Sequence, residues 1–263
     1  RINFAAPARA QVSLAPLAGF GGPDGWLTPG ENGYSYLGTA SLERGIAYGN
    51  NHLYLVSRNG GENIRILDKV TGADLGALPL GSGIINGGTL TVSTVGVGQD
   101  GAIYVANACN PVNGSTPFRV YRWADESSTP TVAFSSTNLT AGQLGTDFDV
   151  IGGGAATRLI AGEYTGGGSG LRNSFALLAT TDGLSFAGSL SPFVSTQPTA
   201  GDFGLGLTFV DSTHVFGAKK SGAGNNPVRY AVINPSLASV TGQWDFEAGN
   251  LNATVGSPLQ YRG

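Results

Sequence analysis

Methionine is absent from this chain, and cysteine occurs once, at Cys109. One cysteine permits no internal disulfide, and with only two histidines, His52 and His214, it cannot build a structural zinc site. Charge is scarce as well: Asp, Glu, Lys and Arg make up 12% of the residues, half the usual ~25%, and the net charge is −3. No basic patch and no interleaving of basic with aromatic residues occurs, which excludes nucleic acid as a partner class. No apolar run approaches the ~18 residues of a membrane span. Glu, Lys and Gln, the usual residues of surface helices, are too few to support many of them. The missing methionine includes an initiator, so a chain opening at Arg1 reads as processed or partial.

What is present points to strands. Glycine accounts for 43 of 263 residues without a G-x-y period, beside plentiful Val, Ile, Leu, Thr, Ser and Asn. That mixture excludes collagen and disorder and fits many short strands joined by tight turns. Four segments share one plan of four strands. The first runs Gly45–Gly49, turn Asn50-Asn51, His52–Val56, Asn63–Asp68 and Ala73–Leu80. The second runs Val95–Gly98, turn Gln99-Asp100-Gly101, Ala102–Val105, Phe118–Trp123 and Thr131–Phe134. The third has Phe148–Ile151, Arg158–Ala161, Ser174–Ala179 and Leu184–Leu190. The fourth has Leu207–Val210, His214–Phe216, Val228–Ile233 and Val240–Phe246. Third-strand positions Leu67, Arg122, Ala179 and Ile233 lie 55, 57 and 54 residues apart. That is slightly above the ~40–50 of familiar propeller repeats, with the excess in glycine-rich loops.

The expectation is an all-β fold, a β-propeller of about five four-stranded blades: four complete repeats plus an incomplete one starting at Pro258-Leu259-Gln260-Tyr261. Innermost strands are apolar throughout, as expected for packing on both faces. Residues 41–263 form the propeller in this reading, and residues 1–40 an N-terminal arm with strand-like stretches at Ala10–Leu14 and Tyr34–Leu37. The arm either closes its own ring or donates a strand to a neighbouring subunit.

Glu43-Arg44-Gly45-Ile46-Ala47-Tyr48 followed by His52-Leu53-Tyr54-Leu55-Val56-Ser57-Arg58 resembles the opening blade of an uncharacterised family of secreted bacterial β-propellers. Gly21–Trp26 and the region from Gly242 onward are similar to it too. Members often carry a C-terminal sorting signal with a Pro-Glu-Pro motif, which this chain lacks. The resemblance implies a propeller fold and an extracellular or cell-surface location. It carries no activity.

The chemistry-bearing residues are few. Gly96-Val97-Gly98-Gln99-Asp100-Gly101 matches G-x-G-x-x-G, but a strand follows instead of a helix, so it reads as a hairpin turn and not a nucleotide loop. His52 and His214 each open the second strand of a repeat and stand too far apart to share a metal. Cys109 has no histidine near it in sequence and reads as a structural thiol. Asp147 and Asp149 flank Phe148, and strand alternation puts both on one face. With loop carbonyls they are candidates for holding calcium; otherwise they cap turns. Asp202, Glu43 and Arg44 precede other innermost strands in the same way. Trp26, Tyr34, Tyr36, Tyr48, Trp123 and Trp244 offer stacking surfaces for glycans, or core packing. Asn113, Asn138 and Asn252 head N-glycosylation sequons. No nucleophile elbow and no paired catalytic constellation is present. The favoured function is a non-catalytic extracellular structural protein, a surface or filament subunit that self-associates through strand edges and the N-terminal arm. The alternative is a propeller that binds or cleaves carbohydrate with Asp147, Asp149 and Asp202.

Overall fold

Short β-rich segments bounded by Gly, Asn and Asp can fold only by pairing with their neighbours in sequence, and that is what the computed structural model shows. It describes residues 15, 17–139, 142–164, 173–193, 203–204, 206–218, 228–234 and 239–246. These hold four four-stranded antiparallel sheets, each a meander in chain order. The first comprises β1 (Glu43–Gly49), β2 (His52–Ser57), β3 (Asn63–Asp68) and β4 (Asp74–Ala77). The second comprises β5 (Leu90–Val97), β6 (Ile103–Ala108), β7 (Phe118–Trp123) and β8 (Thr131–Ser136). The third comprises β9 (Gln143–Ile151), β10 (Arg158–Tyr164), β11 (Asn173–Ala179) and β12 (Ala187–Phe193). The fourth comprises β13 (Gly206–Asp211), β14 (His214–Ala218), β15 (Val228–Asn234) and β16 (Ser239–Phe246). The only helical turns among the described residues are two 3-10 turns, Glu31–Gly33 and Gly154–Ala156.

Tight turns set the register. Asn50 and Asn51 both take positive φ, 50° and 68°, as a two-residue hairpin loop requires, and Gly49 pairs directly with His52. Gly98–Gly101 is the hairpin turn expected in place of a nucleotide loop, closed by Gly101 N–H to the Gly98 carbonyl at 3.0 Å. Several expected elements differ: β5 and β9 begin at Leu90 and Gln143, earlier than the expected Val95 and Phe148. The third repeat's last strand starts at Ala187, because Asp182–Ser185 is held in a turn by its own side-chain hydrogen bonds. Tyr34–Leu37 is a turn and not a strand, with the Leu37 N–H bonded to the Tyr34 carbonyl. The expected stretch Ala10–Leu14 and the fifth unit at Pro258–Tyr261 lie outside the described residues.

The sheets pack face to face in sequence order, with β1 against β5, β5 against β9, and β9 against β13. No comparable packing joins β13 back to β1 among the described residues. Each junction has its own core. Between the first two sheets Ala47, Tyr54 and Ile66 meet Val95, Ile103, Tyr121 and Trp123. Tyr104, Phe118 and Val120 meet Phe148, Leu159 and Leu178 at the second junction. At the third, Ile160, Phe175 and Leu177 meet Leu207, Val215 and Ala231. Burying each large side chain contributes about 1.5–3 kcal/mol, so these cores are the main source of stability.

The start of β9 also stitches two sheets. Leu144, paired with Glu163 in its own sheet, also exchanges backbone hydrogen bonds with Cys109 at 2.9 and 3.0 Å. The ladder between β9 and β10 is interrupted between Ala161 and Glu163, and Gly145 there takes φ +84°. A Cβ at Gly145 collides with the Asn107 carbonyl. Gly145→Ala is therefore expected to lower the unfolding free energy by about 2–4 kcal/mol, from a strained φ plus the clash. Urea denaturation of the purified variant measures it; an unchanged midpoint contradicts the assigned bulge.

Candidate functional site

Asp147 and Asp149 sit on β9 with Phe148 buried between them, and their carboxylates reach the free edge of β13. Asp147 Oδ1 accepts from Phe148 N–H at 2.9 Å and Oδ2 from Leu207 N–H. Asp149 Oδ1 accepts from Val150 N–H at 2.8 Å. Its Oδ2 accepts from Phe209 N–H at 2.8 Å and the Thr208 hydroxyl at 2.7 Å. Thr146 adds a bond to the Gly204 carbonyl at 2.8 Å. Among the described residues β13 pairs only with β14, so these carboxylates supply the acceptors for Leu207 and Phe209 N–H on its other edge. The two Oδ2 oxygens thus hold one sheet to the next, while the two Oδ1 oxygens accept from β9's own backbone. Among the described residues no group of three or more His, Cys, Asp or Glu is placed to hold a metal ion. Asp202 lies outside the described residues.

Removing the Asp149 carboxylate strands these donors. Asp149→Ala is expected to cost about 1–3 kcal/mol, the desolvation of unsatisfied partly buried groups. Amide exchange should quicken at Phe209 and leave the first sheet unchanged, which separates an inter-sheet clamp from general loosening; uniform acceleration across all four sheets would contradict the clamp.

A cleft of about 480 Å³ opens between the turns of the first and second sheets, lined by Asn50, Asp100, Asp125, Glu126 and Ser127 among others. Glu126 at its edge pairs with His52 Nδ1 at 2.6 Å and accepts from the Tyr54 hydroxyl at 2.5 Å. Burial first, and then that carboxylate, push the Tyr54 phenol well above its ordinary pKa. Asn50 Nδ2 donates to Tyr54 at 2.9 Å and to the Gly101 carbonyl at 2.8 Å, tying the two turns together. Ser127 donates its hydroxyl to Asp125 at 2.7 Å. The histidine therefore faces a carboxylate, and the serine a different one. Nucleophilic catalysis needs the serine on the histidine, so this constellation does not form a triad.

Other residues singled out by sequence have structural surroundings. Cys109 is buried, and burial pushes its thiol up to about 12. Tyr36 and Trp123 are buried, the latter donating to the Pro79 carbonyl at 2.7 Å. Trp26 and Tyr48 are 64% and 59% exposed. Trp244 lies in β16. Asn113 and Asn138 are exposed, and Asn113 Oδ1 accepts from Ser115 N–H at 2.8 Å; Asn252 lies outside the described residues.

The most distinctive surface belongs to the first sheet. Its strand register lines up Ile46, Leu55 and Arg65, and beside them Tyr48, Leu53 and Leu67. The same positions in the second sheet are Val95, Val105, Tyr121, Val97, Ile103 and Trp123, all in the first inter-sheet core. On the first sheet the N-terminal segment covers only the outer half of this face. Tyr36 lies under the Arg65 guanidinium, 4.8 Å from the ring centroid, and stacks on Tyr34. Tyr34 Oη accepts from Asp74 N–H at 3.0 Å, and Ser57 donates to the Tyr36 carbonyl at 2.6 Å. The inner half stays open: Ile46 is 39% exposed and Tyr48 more so. β1 is thus half-exposed where an innermost strand was expected to be covered on both faces.

Sequence reading missed a further set. Asp68, Asp125 and Asp182 lie 57 residues apart, each followed at the third position by Thr or Ser. Each carboxylate caps the outer hairpin of its sheet. Their pKa values are lowered, chiefly by Thr71 N–H for Asp68, the Ser127 hydroxyl for Asp125 and Ser185 N–H for Asp182. Asp211, capping the β13–β14 turn, is lowered to about 2, first by Thr213 N–H and more weakly by His214. A depressed folded-state pKa contributes stability that is complete above the unfolded carboxylate value of ~3.9 and is lost as pH falls through the folded one. Urea midpoints should be level above about pH 5 and decline from about pH 4 toward pH 2. Asp211→Asn should flatten part of that decline, and an identical profile would remove Asp211 from the account.

No protein-family model and no curated protein matches the chain. Solved structures similar to it include the following two. A DUF4623 family protein from Bacteroides eggerthii has 14% identity and a TM-score of 0.55, over 76% of this chain and 44% of its own. A structure of YCF48 bound to D1 peptide has 9% identity and a TM-score of 0.43, over 76% and 52%. The chain spans about half the length of either. Fold and sheet arrangement define the class: an all-β repeat protein of β-propeller-like fold. Among the described residues, no helix is long and apolar enough to cross a membrane.

Proposed function

We propose that this chain is a non-catalytic extracellular structural protein that associates with copies of itself through the surfaces its sheets leave open. The observation that carries this is the inner half of the first sheet. Ile46 and Tyr48 occupy positions that are core in the second sheet, yet they face solvent. Leu53 and Leu55 behind them are half-buried. An apolar face of this kind, rimmed by Lys69 and Arg44, has the make-up of an association surface. The side chains with catalytic potential support the same reading, because they are committed to hydrogen bonds that hold turns and sheets.

Sedimentation equilibrium over a concentration series tests it. Oligomers are expected. Covering Ile46 and Tyr48 contributes about 1.5–3 kcal/mol each, so Tyr48→Asp should weaken association at least about tenfold while the urea midpoint stays near wild type. A wild-type chain that remains monomeric at its highest soluble concentration would refute the proposal.

A further inference from the structure

We infer that Asn113 is a site of spontaneous modification, where the folded loop promotes loss of the side-chain amide as ammonia and leaves aspartate or isoaspartate. The inference stands apart from the self-association reading. The chain contains four Asn-Gly pairs, beginning at Asn32, Asn59, Asn86 and Asn113. Glycine carries no side chain to hinder its own nitrogen, so each pair is a candidate for closure of that nitrogen onto the asparagine Cγ. Three of the four are restrained. Asn32 Nδ2 donates to the Gly21 carbonyl at 2.9 Å, Asn59 Nδ2 to the Ser35 carbonyl at 2.7 Å, and Asn86 Nδ2 to the Gly83 carbonyl at 2.8 Å. Each of these bonds has to break before the amide nitrogen can leave.

Asn113 is arranged the other way round. It is exposed in the loop between β6 and β7, and buried Val112 anchors that loop behind it. Its backbone N–H and carbonyl both bond to Thr116, at 3.3 and 3.2 Å, and the Thr116 hydroxyl donates to the Pro111 carbonyl. Oδ1 accepts from Ser115 N–H at 2.8 Å and from Thr116 N–H at 3.0 Å. Neither Asn113 Nδ2 nor Gly114 N–H donates to any group among the described residues. Of the four pairs, only this one has an Oδ1 that accepts from backbone N–H groups. Two such donors draw electrons from Cγ and stabilise the oxyanion that forms when it is attacked. Water removes the Gly114 N–H proton, and the nitrogen bonds to Asn113 Cγ. The Cγ–Nδ2 bond breaks, and Nδ2 leaves as ammonia with a proton returned from water. The five-membered imide then adds one water and opens at either carbonyl, giving aspartate or isoaspartate. An amide NH2 is exchanged for OH, and the chain becomes one charge more negative than −3. The reaction also consumes Nδ2, the atom that a sequon at Asn113 offers to a glycan.

Hydroxylamine tests this, because it cleaves the chain at such an imide. Folded protein in mildly alkaline hydroxylamine should yield residues 1–113 and 114–263, with cleavage after Asn32, Asn59 and Asn86 at least about tenfold slower. The same chain unfolded in urea should be cut at all four pairs at similar rates. Folded cleavage led by another pair, or spread evenly over the four, would overturn the inference. Cleavage after Asn113 that is slower in the folded chain than in urea would overturn it too, since the loop would then protect the amide. Ser115→Pro removes one donor to Oδ1; it should slow folded cleavage after Asn113 about tenfold and leave the rate in urea near wild type. An unchanged folded rate would overturn the part given to the Oδ1 donors. Without hydroxylamine, prolonged incubation should replace NH2 by OH on the peptide carrying Asn113, and Asn113→Gln should abolish both signals.

Discussion

A β-sheet whose two faces are both apolar cannot stand in water as a single layer, and every central sheet of this protein is of that kind. Val95, Val105 and Trp123 leave one side of the second sheet, while Tyr104, Phe118 and Val120 leave the other. Stacking against a neighbour on each side is therefore a condition of folding. It also explains where the glycines are spent. Gly49 and Gly96 stand on innermost strands where the next sheet comes so close that a Cβ would run into Val97 and Val150. Strands converging toward a hub leave no room for side chains on the approaching sides, and glycine is the residue that permits the approach.

Convergence exposes a second difficulty, the unpaired backbone edge. An innermost strand bonds to one partner only, so half its amides point away from the ladder. Asp147 and Asp149 supply acceptors for β13 from the neighbouring sheet, and the same residue type caps the outer hairpins at Asp68, Asp125 and Asp182. In a chain with so few charges, its carboxylates are largely used up in holding backbone N–H groups. Acidic groups thus serve here as hydrogen-bond acceptors for strand ends and edges.

The repeat was legible because its signal is local. Alternating apolar runs between Asn-Asn, Asp-Gly and Thr-Gly turns place every one of the sixteen strands, and parity alone put Asp147 and Asp149 on one face. The widest departures are β5 and β9, which begin at Leu90 and Gln143 rather than Val95 and Phe148. β12 lies three residues later than expected because the side chain of Asp182 extends its turn, which residue spacing does not reveal. Periodic Asp-x-x-Thr/Ser at 57-residue intervals was readable and went unread. His52 with Glu126 was not readable at all: 74 residues separate them, and only the stacking of two sheets brings them to 2.6 Å. Tyr34–Leu37 looked like a strand because aromatics favour strands, but the pair is used to cover a sheet face from above.

That cover is partial, and its limit has a geometric cause. The N-terminal segment lies over β3 and β4, where Tyr34 accepts from Asp74 N–H and Tyr36 lies under Arg65. Ile46 and Tyr48 lie on β1, outside that cover. The uncovered residues Ile46 and Tyr48 occupy positions that in the second sheet are Val95 and Val97, members of the first inter-sheet core.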